Sequence, residues 1–469
     1  MRRIQSLTIF AAILIVLTLS WLICAEYSAR EDHDQAQTFA STGKSGIALT
    51  ALEGEINRIS YDYDEELLSF ELRNGVWCYA PDNTVPIRTQ LVHNMVEMFD
   101  GLTATRAIEA VAGENYGFDE GSFTVEVGTD AGETLRLTFG GINPATSQVY
   151  ARLDNAPTLY LLDAALPELF DYHFLDILTP DAPPDITSRD LDCITISRGE
   201  RTLELYYSEE AVETAYSSAF NWFVGRPYDV MTPADTIKSH QLFADVTNLY
   251  IYGVAAFRPD ADELTEMGLA DPAAVITVDY VLDGVRHQSV LNIGSSNADA
   301  RTHVQYADSE MVLLVDANLM ESIIYTSGSS LLPDAVCLIE QETVQSFSVM
   351  QGDTMREYVL TDKGDELTQE VWVCNDDPID SALISNFFSF LNDMTSIKDA
   401  PDTTPGEAYA SIRFLRSTNN FQDMTLTFHH YDADMLLVSF DNRTRLLVSV
   451  EEVDSLFMLL DGAYLHESE

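Results

Sequence analysis

The chain has 469 residues, with 76 Asp and Glu against 25 Lys and Arg, a formal charge of −51. A surface this acidic, with no basic cluster to offset it, repels phosphate backbones and excludes nucleic acid as a partner. Hydrophobic residues make up 46% and aromatic ones 10%, enough to fill two to four cores and too many for a disordered chain.

The chain begins Met1-Arg2-Arg3 and then runs apolar from Leu7 to Ala25. As a helix those residues reach roughly 28 Å at about 1.5 Å each, close to a bilayer's hydrocarbon thickness. Positive charge precedes the run, while Glu26, Glu31, Asp32 and Asp34 follow it. The pattern leads us to expect a cytoplasmic tail at 1–6 and a transmembrane anchor at 7–25, with the bilayer as a partner. The protein would then be single-pass in the cell membrane, its N-terminus cytoplasmic and its C-terminal domains extracytoplasmic. Trp21-Leu22-Ile23-Cys24 ends the run without the small residues of a cleaved signal peptide. Residues 26–50 are polar, lack periodicity and read as a flexible stalk. Their Gly43-Lys44-Ser45 is no phosphate loop, since Thr38 stands where that loop needs glycine.

Beyond the stalk the chain repeats itself. From Pro86, the apolar residues Ile87, Leu91, Met95, Met98, Phe99 and Leu102 form the stripe of an amphipathic helix, with the proline in its first turn. From Pro378, Ile379, Leu383, Phe387, Phe390, Leu391 and Met394 form a matching one (379 − 87 and 394 − 102 are both 292). An imperfect middle copy follows Pro233, with Lys238 and Asp245 at apolar places. Trp77, Trp222 and Trp372 each end a strand-like stretch shortly before these prolines, and read as core aromatics pinning helix to sheet. Each repeat opens with a strand pair and closes with an alternating β-meander. Tyr116-Gly117-Phe118-Asp119 in the first repeat and Met267-Gly268-Leu269-Ala270-Asp271-Pro272 in the second occupy the joint before the meander. The third repeat lacks this motif.

The fold class expected is therefore α+β: an N-terminal transmembrane helix, then three tandem repeats, each an antiparallel sheet or meander with a packed amphipathic helix. The repeats span 51–184, 185–333 and 334–469, the last degenerate as a terminal unit can be. Glycine at the joint reads as turn freedom.

Trp77, Pro86, Tyr116-Gly117-Phe118-Asp119, Gly140 and Val149-Tyr150-Ala151, with Trp222, Gly268-Leu269-Ala270-Asp271-Pro272 and Gly294, resemble the domain of unknown function 4340 family. The resemblance covers essentially everything after the stalk. It implies a membrane-anchored protein associated with ABC-type transport systems, and it supplies no catalytic residue.

Chemistry is sparse in the sequence. Cys78, Cys193, Cys337 and Cys374 form no Cys-x-x-Cys, have no adjacent histidine and read as small buried hydrophobes, although two disulfides are permissible. His429-His430 falls on a strand, so the two rings point to opposite faces and cannot chelate one metal together without a bulge. Asp260-Ala261-Asp262-Glu263, Asp432-Ala433-Asp434 and Asp62-Tyr63-Asp64-Glu65 alternate acids without completing a calcium loop. Asn442-Arg443-Thr444 is a bare glycosylation sequon. We assign no catalytic, cofactor-binding or metal residue and no cofactor. We expect a non-enzymatic scaffold or binding protein, accessory to ABC-type transporter subunits. A polysaccharide- or peptide-binding module is the alternative, and an envelope hydrolase the third.

Overall fold

The computed structural model describes residues 46–461, apart from 50–51, 64–65, 119–121, 155, 210–216, 218–219, 229–230, 363–369, 397, 400–404, 419–420 and 441–442. Two compact units divide between His173 and Phe174.

The first unit carries an eight-stranded antiparallel sheet. Across it lie Val76–Tyr79, Glu66–Arg73, Ile56–Tyr63, Phe123–Thr129, Thr134–Asn143, Gln148–Leu153, Thr158–Leu162 and Arg106–Glu109. The opening strands run outward to one edge. The chain then passes through the helix Thr89–Glu97, lays Arg106–Glu109 on the far edge, and returns to fill the middle. Ile56–Tyr63 pairs with Phe123–Thr129, Ile59 opposite Val127 and Tyr61 opposite Val125. All four of these side chains are buried, as period-2 alternation requires of one covered face. The two-residue strand Ile47–Ala48 pairs separately with Thr103–Ala104. It lies inside the segment read from sequence as a stalk.

The second unit contains two nine-stranded sheets of the same plan. In one, the opening strand Leu191–Arg198 pairs with Ala274–Leu282, and Gly253–Phe257 takes the far edge beside Met311–Asp316. In the other, Val344–Gln351 pairs with Ala408–Arg416, and Lys398–Asp399 takes the far edge. Each has its helix, Thr236–Thr247 and Ser381–Asp393. The duplication seen in the sequence is thus real, down to strand order.

Helix placement departs from the sequence reading by a constant. The helices begin at Thr89, Thr236 and Ser381, each three residues after Pro86, Pro233 or Pro378. Pro233 and Pro378 lie instead in edge strands, Thr232–Pro233 and Asp377–Ile379, where no ladder donor is needed. Asp235 and Asp380 then cap the helices, accepting from Ile237 N, Lys238 N and Ala382 N at 2.9 Å. In the third sheet Ile384, Phe387, Phe388 and Leu391 are buried. Phe347 stacks on Tyr358 at 4.6 Å and on Phe387 at 5.2 Å, and meets Trp372 edge-on. Each such side chain contributes about 1.5–3 kcal/mol by leaving water.

Two expectations are corrected. Among the described residues 45% lie in strands and 20% in helices, with four antiparallel sheets, so the protein is mostly β and the α+β class does not hold. The strand pair and the meander looked like separate pieces in sequence. They join into one wide sheet through a pairing between strands more than 50 residues apart, and the helices that cross it are short. Second, no helix among the described residues is long and apolar enough to cross a membrane. A span takes about 20 residues, and the longest described helix has 13. The single-pass anchor, the bilayer as partner and the cell-membrane localisation built on it are accordingly withdrawn. Residues 7–25 lie outside the described residues.

Candidate functional site

The repeated glycine motif is an interlock. In the first sheet Gly141 N donates to Tyr116 O at 2.8 Å, and in the second Ser295 N donates to Met267 O at 2.8 Å. Both acceptors sit over a bulge, where the register shifts between Phe139 and Ile142 and between Ile293 and Ser296. Gly117 and Gly268 have φ of +76° and +71°. A side chain at Gly117 would strike the Gly141 backbone, and one at Gly268 would meet Ser295 N at 2.9 Å. Phe118 and Leu269 cover Gly140 and Gly294, where a Cβ would come within 3.0 Å of either. The third sheet keeps the hydrogen bond without the glycines, His430 N donating to Glu407 O at 3.0 Å. Its joint is shorter. Tyr116 and Met267 lie seven residues before Phe123 and Ala274, whereas Glu407 lies three before Ala410, so no loop has to be tucked in. The His429-His430 pair therefore replaces two bulge residues. His429 Nδ1 lies 3.0 Å from Gly406 O, and His430 packs on Tyr409.

The other residues that drew attention in sequence prove structural. Trp77, Trp222 and Trp372 are 7%, 1% and 0% exposed, which leaves no ring face for a ligand. Cys78, Cys193, Cys337 and Cys374 are free thiols, all but Cys78 buried. Burial pushes the Cys193 and Cys337 thiols up, away from the reactive thiolate. Asp260 caps the helix Ala261–Glu266 in a reciprocal box with Glu263. Asp432 closes a turn by accepting from Asp434 N and Met435 N. Among the described residues no three His, Cys, Asp or Glu side chains could hold one metal. Gly43-Lys44-Ser45, Cys24, Asp64 and Asn442 lie outside the described residues. A shallow polar depression on the first sheet is lined by Glu126, Thr134, Arg136 and Asp154, and there Arg136 pairs with Glu126 at 2.7 Å.

One exposed cluster has no structural duty of this kind. It stands where the second helix hands over to its edge strand, at Tyr250-Ile251-Tyr252. Tyr250 is 69% exposed and Tyr252 48%, their rings 4.8 Å apart and edge to face. The Arg301 guanidinium lies 3.4 Å from the centre of the Tyr252 ring and pairs with Asp316 Oδ2 at 3.1 Å. Asp316 is itself fixed, its other oxygen capping the helix Ala317–Ile324 through Asn318 N and Leu319 N. Tyr252 N donates to Leu314 O at 2.9 Å, as Thr105 N does to Leu161 O in the first sheet. This backbone hydrogen bond is common to both repeats, while the side chains around it differ. Thr105 receives Gln148 Nε2 at 2.7 Å where Tyr252 receives Arg301. Sequence reading passed over this cluster because Tyr250 and Tyr252 follow the helix stripe in a short link. Two tyrosines where the first repeat has Thr103 and Thr105 were the available signal.

The fold is a tandem array of wide antiparallel sheets, each with a helix between its opening strands and its meander, and an exposed tyrosine pair on the middle one. A family model described as a domain of unknown function, DUF4340, matches residues 77–256 and 222–405, the two matches beginning at Trp77 and Trp222. The chain belongs to the DUF4340 family. No curated protein and no solved structure matches it.

Proposed function

We propose that the protein is a non-catalytic binding or scaffolding protein that holds a protein partner at the Tyr250–Tyr252 corner of its second sheet. The observation that carries this reading is the exposed tyrosine pair braced by Arg301 and Asp316. Tyrosine and arginine dominate the energetics of protein contacts, because a tyrosine covers much area with few rotatable bonds. Bracing Arg301 before binding lowers the ordering cost when a partner arrives. A glycan stacks on flat ring faces, and Arg301 already covers one face of Tyr252, so a protein partner is favoured. The family resemblance points to a subunit of an ABC-type transport complex as that partner. Cross-linking followed by purification tests this. A transport subunit should be recovered with the native chain, and at least tenfold less with Tyr250→Ala/Tyr252→Ala at unchanged melting temperature. Equal recovery by both proteins, or recovery of no transport subunit, removes the reading.

A further inference from the structure

The same corner carries a backbone feature that differs between the repeats. The helices of the three sheets begin at 89, 236 and 381, so Leu102, Leu249 and Met394 are equivalent, as are Thr103, Tyr250 and Thr395. In the first repeat an extended segment is laid along this link. Ile47 and Ala48 pair with Ala104 and Thr103, and Leu49 N donates to Leu102 O at 2.9 Å. In the third repeat the linker does the same. Ala335 bridges Thr395, Val336 N donates to Met394 O at 2.9 Å, and Ser396 N donates to Asp334 O at 2.7 Å. In the second repeat, among the described residues, no backbone hydrogen bond reaches Leu249 O, Tyr250 or Ile251. Ala104 is fully buried under its added segment, whereas Ile251, its counterpart, is half-buried.

The sequence supplies a reason. Pro180-Asp181-Ala182-Pro183 matches Pro333-Asp334-Ala335-Val336 (333 − 180 and 336 − 183 are both 153). Val336 is the residue whose amide donates to the link, and Pro183 has no amide to donate. The second linker goes elsewhere, and Asp181 accepts a hydrogen bond from the Ser309 hydroxyl.

We infer that the link Leu249–Ile251 is a strand-addition site for an extended segment of a partner protein. The two occupied links define its chemistry: an aliphatic residue or aspartate, then alanine, then an aliphatic residue with a free amide. The segment would run antiparallel to the link, its alanine opposite Tyr250, its third amide donating to Leu249 O and its first carbonyl accepting from Ile251 N. A small residue opposite Tyr250 leaves that ring free to fold over the added strand. Basic flanking residues suit a chain of charge −51. This inference rests on the binding role proposed above for the Tyr250 corner.

The test uses the whole chain and a labelled peptide carrying Gly-Ile-Ala-Leu-Thr, the sequence of residues 46–50, between pairs of lysines. Fluorescence anisotropy should show saturable binding. An analogue with proline for the leucine has the same charge and should bind at least tenfold more weakly. Ile251→Pro should weaken the parent peptide by a similar factor. If that variant does not fold, the proline analogue against the native chain decides alone. Equal binding of the two peptides, or no saturable binding, overturns the inference. So does dimerisation of the chain that Ile251→Pro abolishes, because the edge would then belong to a second copy. If the peptide fails while Tyr250→Ala/Tyr252→Ala still loses the transport subunit, strand addition falls and the binding reading stands.

Discussion

The backbone oxygen of Met267 accepts a hydrogen bond from Ser295 N at 2.8 Å, and Gly294 lies so close beneath it that a Cβ there would overlap that oxygen. Gly294→Ala must therefore push two backbones apart, at a cost of about 3 kcal/mol. Gly132→Ala is the control. Gly132 has φ +84° in a hairpin turn with open space around it, so only backbone strain of about 1 kcal/mol is expected. Urea unfolding of both variants checks the order, and a Gly294→Ala variant no weaker than Gly132→Ala would contradict the interlock.

Arg416 is almost wholly buried, and its Nη2 pairs with Glu340 Oε2 at 3.1 Å while Nε donates to Thr343 Oγ1 at 2.9 Å. Glu340 also accepts from the Ser217 hydroxyl at 3.1 Å. Removing the carboxylate strands a buried cation, so Glu340→Ala should destabilise the second unit by about 3 kcal/mol. Arg416→Met, which removes the charge itself, should cost less. Urea midpoints in the opposite order would sink this account of the pair.

The Tyr409 hydroxyl donates to Asp454 on the helix Val450–Asp461, and that bond, with lesser help from burial, holds the phenol up to about 12. The folded state thus favours protonated Tyr409. Its contribution is complete below the ordinary tyrosine value of about 10 and is lost as pH rises toward 12. The penalty of Tyr409→Phe should therefore be smaller at about pH 11 than at about pH 8. Chemical denaturation at the two values reads it, and a penalty that grows with pH would refute the assignment.

Cys78 is half-exposed, while Cys193, Cys337 and Cys374 are buried. Near neutral pH iodoacetamide should label Cys78 well before the other three, because thiolate and access are both required. Peptide mapping by mass spectrometry follows the order. Early labelling of Cys337 would mean that the third core opens readily.

Local patterning in the sequence carried the apolar stripes and the alternating strands, which depend on neighbours two, three or four residues apart. The recurrence of those stripes and of Trp77, Trp222 and Trp372 at near-constant offsets carried the repeats. Val92, buried where Leu91 was expected, shows how far a stripe alone can drift. The single wide sheet was not legible, since pairing Ile59 with Val127 is a long-range event that no local period records. The Tyr250 corner was hidden differently. Its meaning lies in what Ile47–Ala48 and Asp334–Val336 do at equivalent links, and that appears only when three backbones are compared. Pro183 in place of Val336 was visible all along, but its missing amide matters only once the bond from Val336 N to Met394 O is known.

Amide hydrogen exchange at Ile251 tests the central claim most directly, with Ser396 as its internal reference. Ser396 N is bonded to Asp334 O and should exchange slowly, while Ile251 should exchange near the rate of an open chain. Adding the Gly-Ile-Ala-Leu-Thr peptide should then slow Ile251 at least tenfold and leave Ser396 unchanged. An Ile251 amide as protected as Ser396 in the free protein, or unchanged by saturating peptide, would contradict an open strand-addition edge.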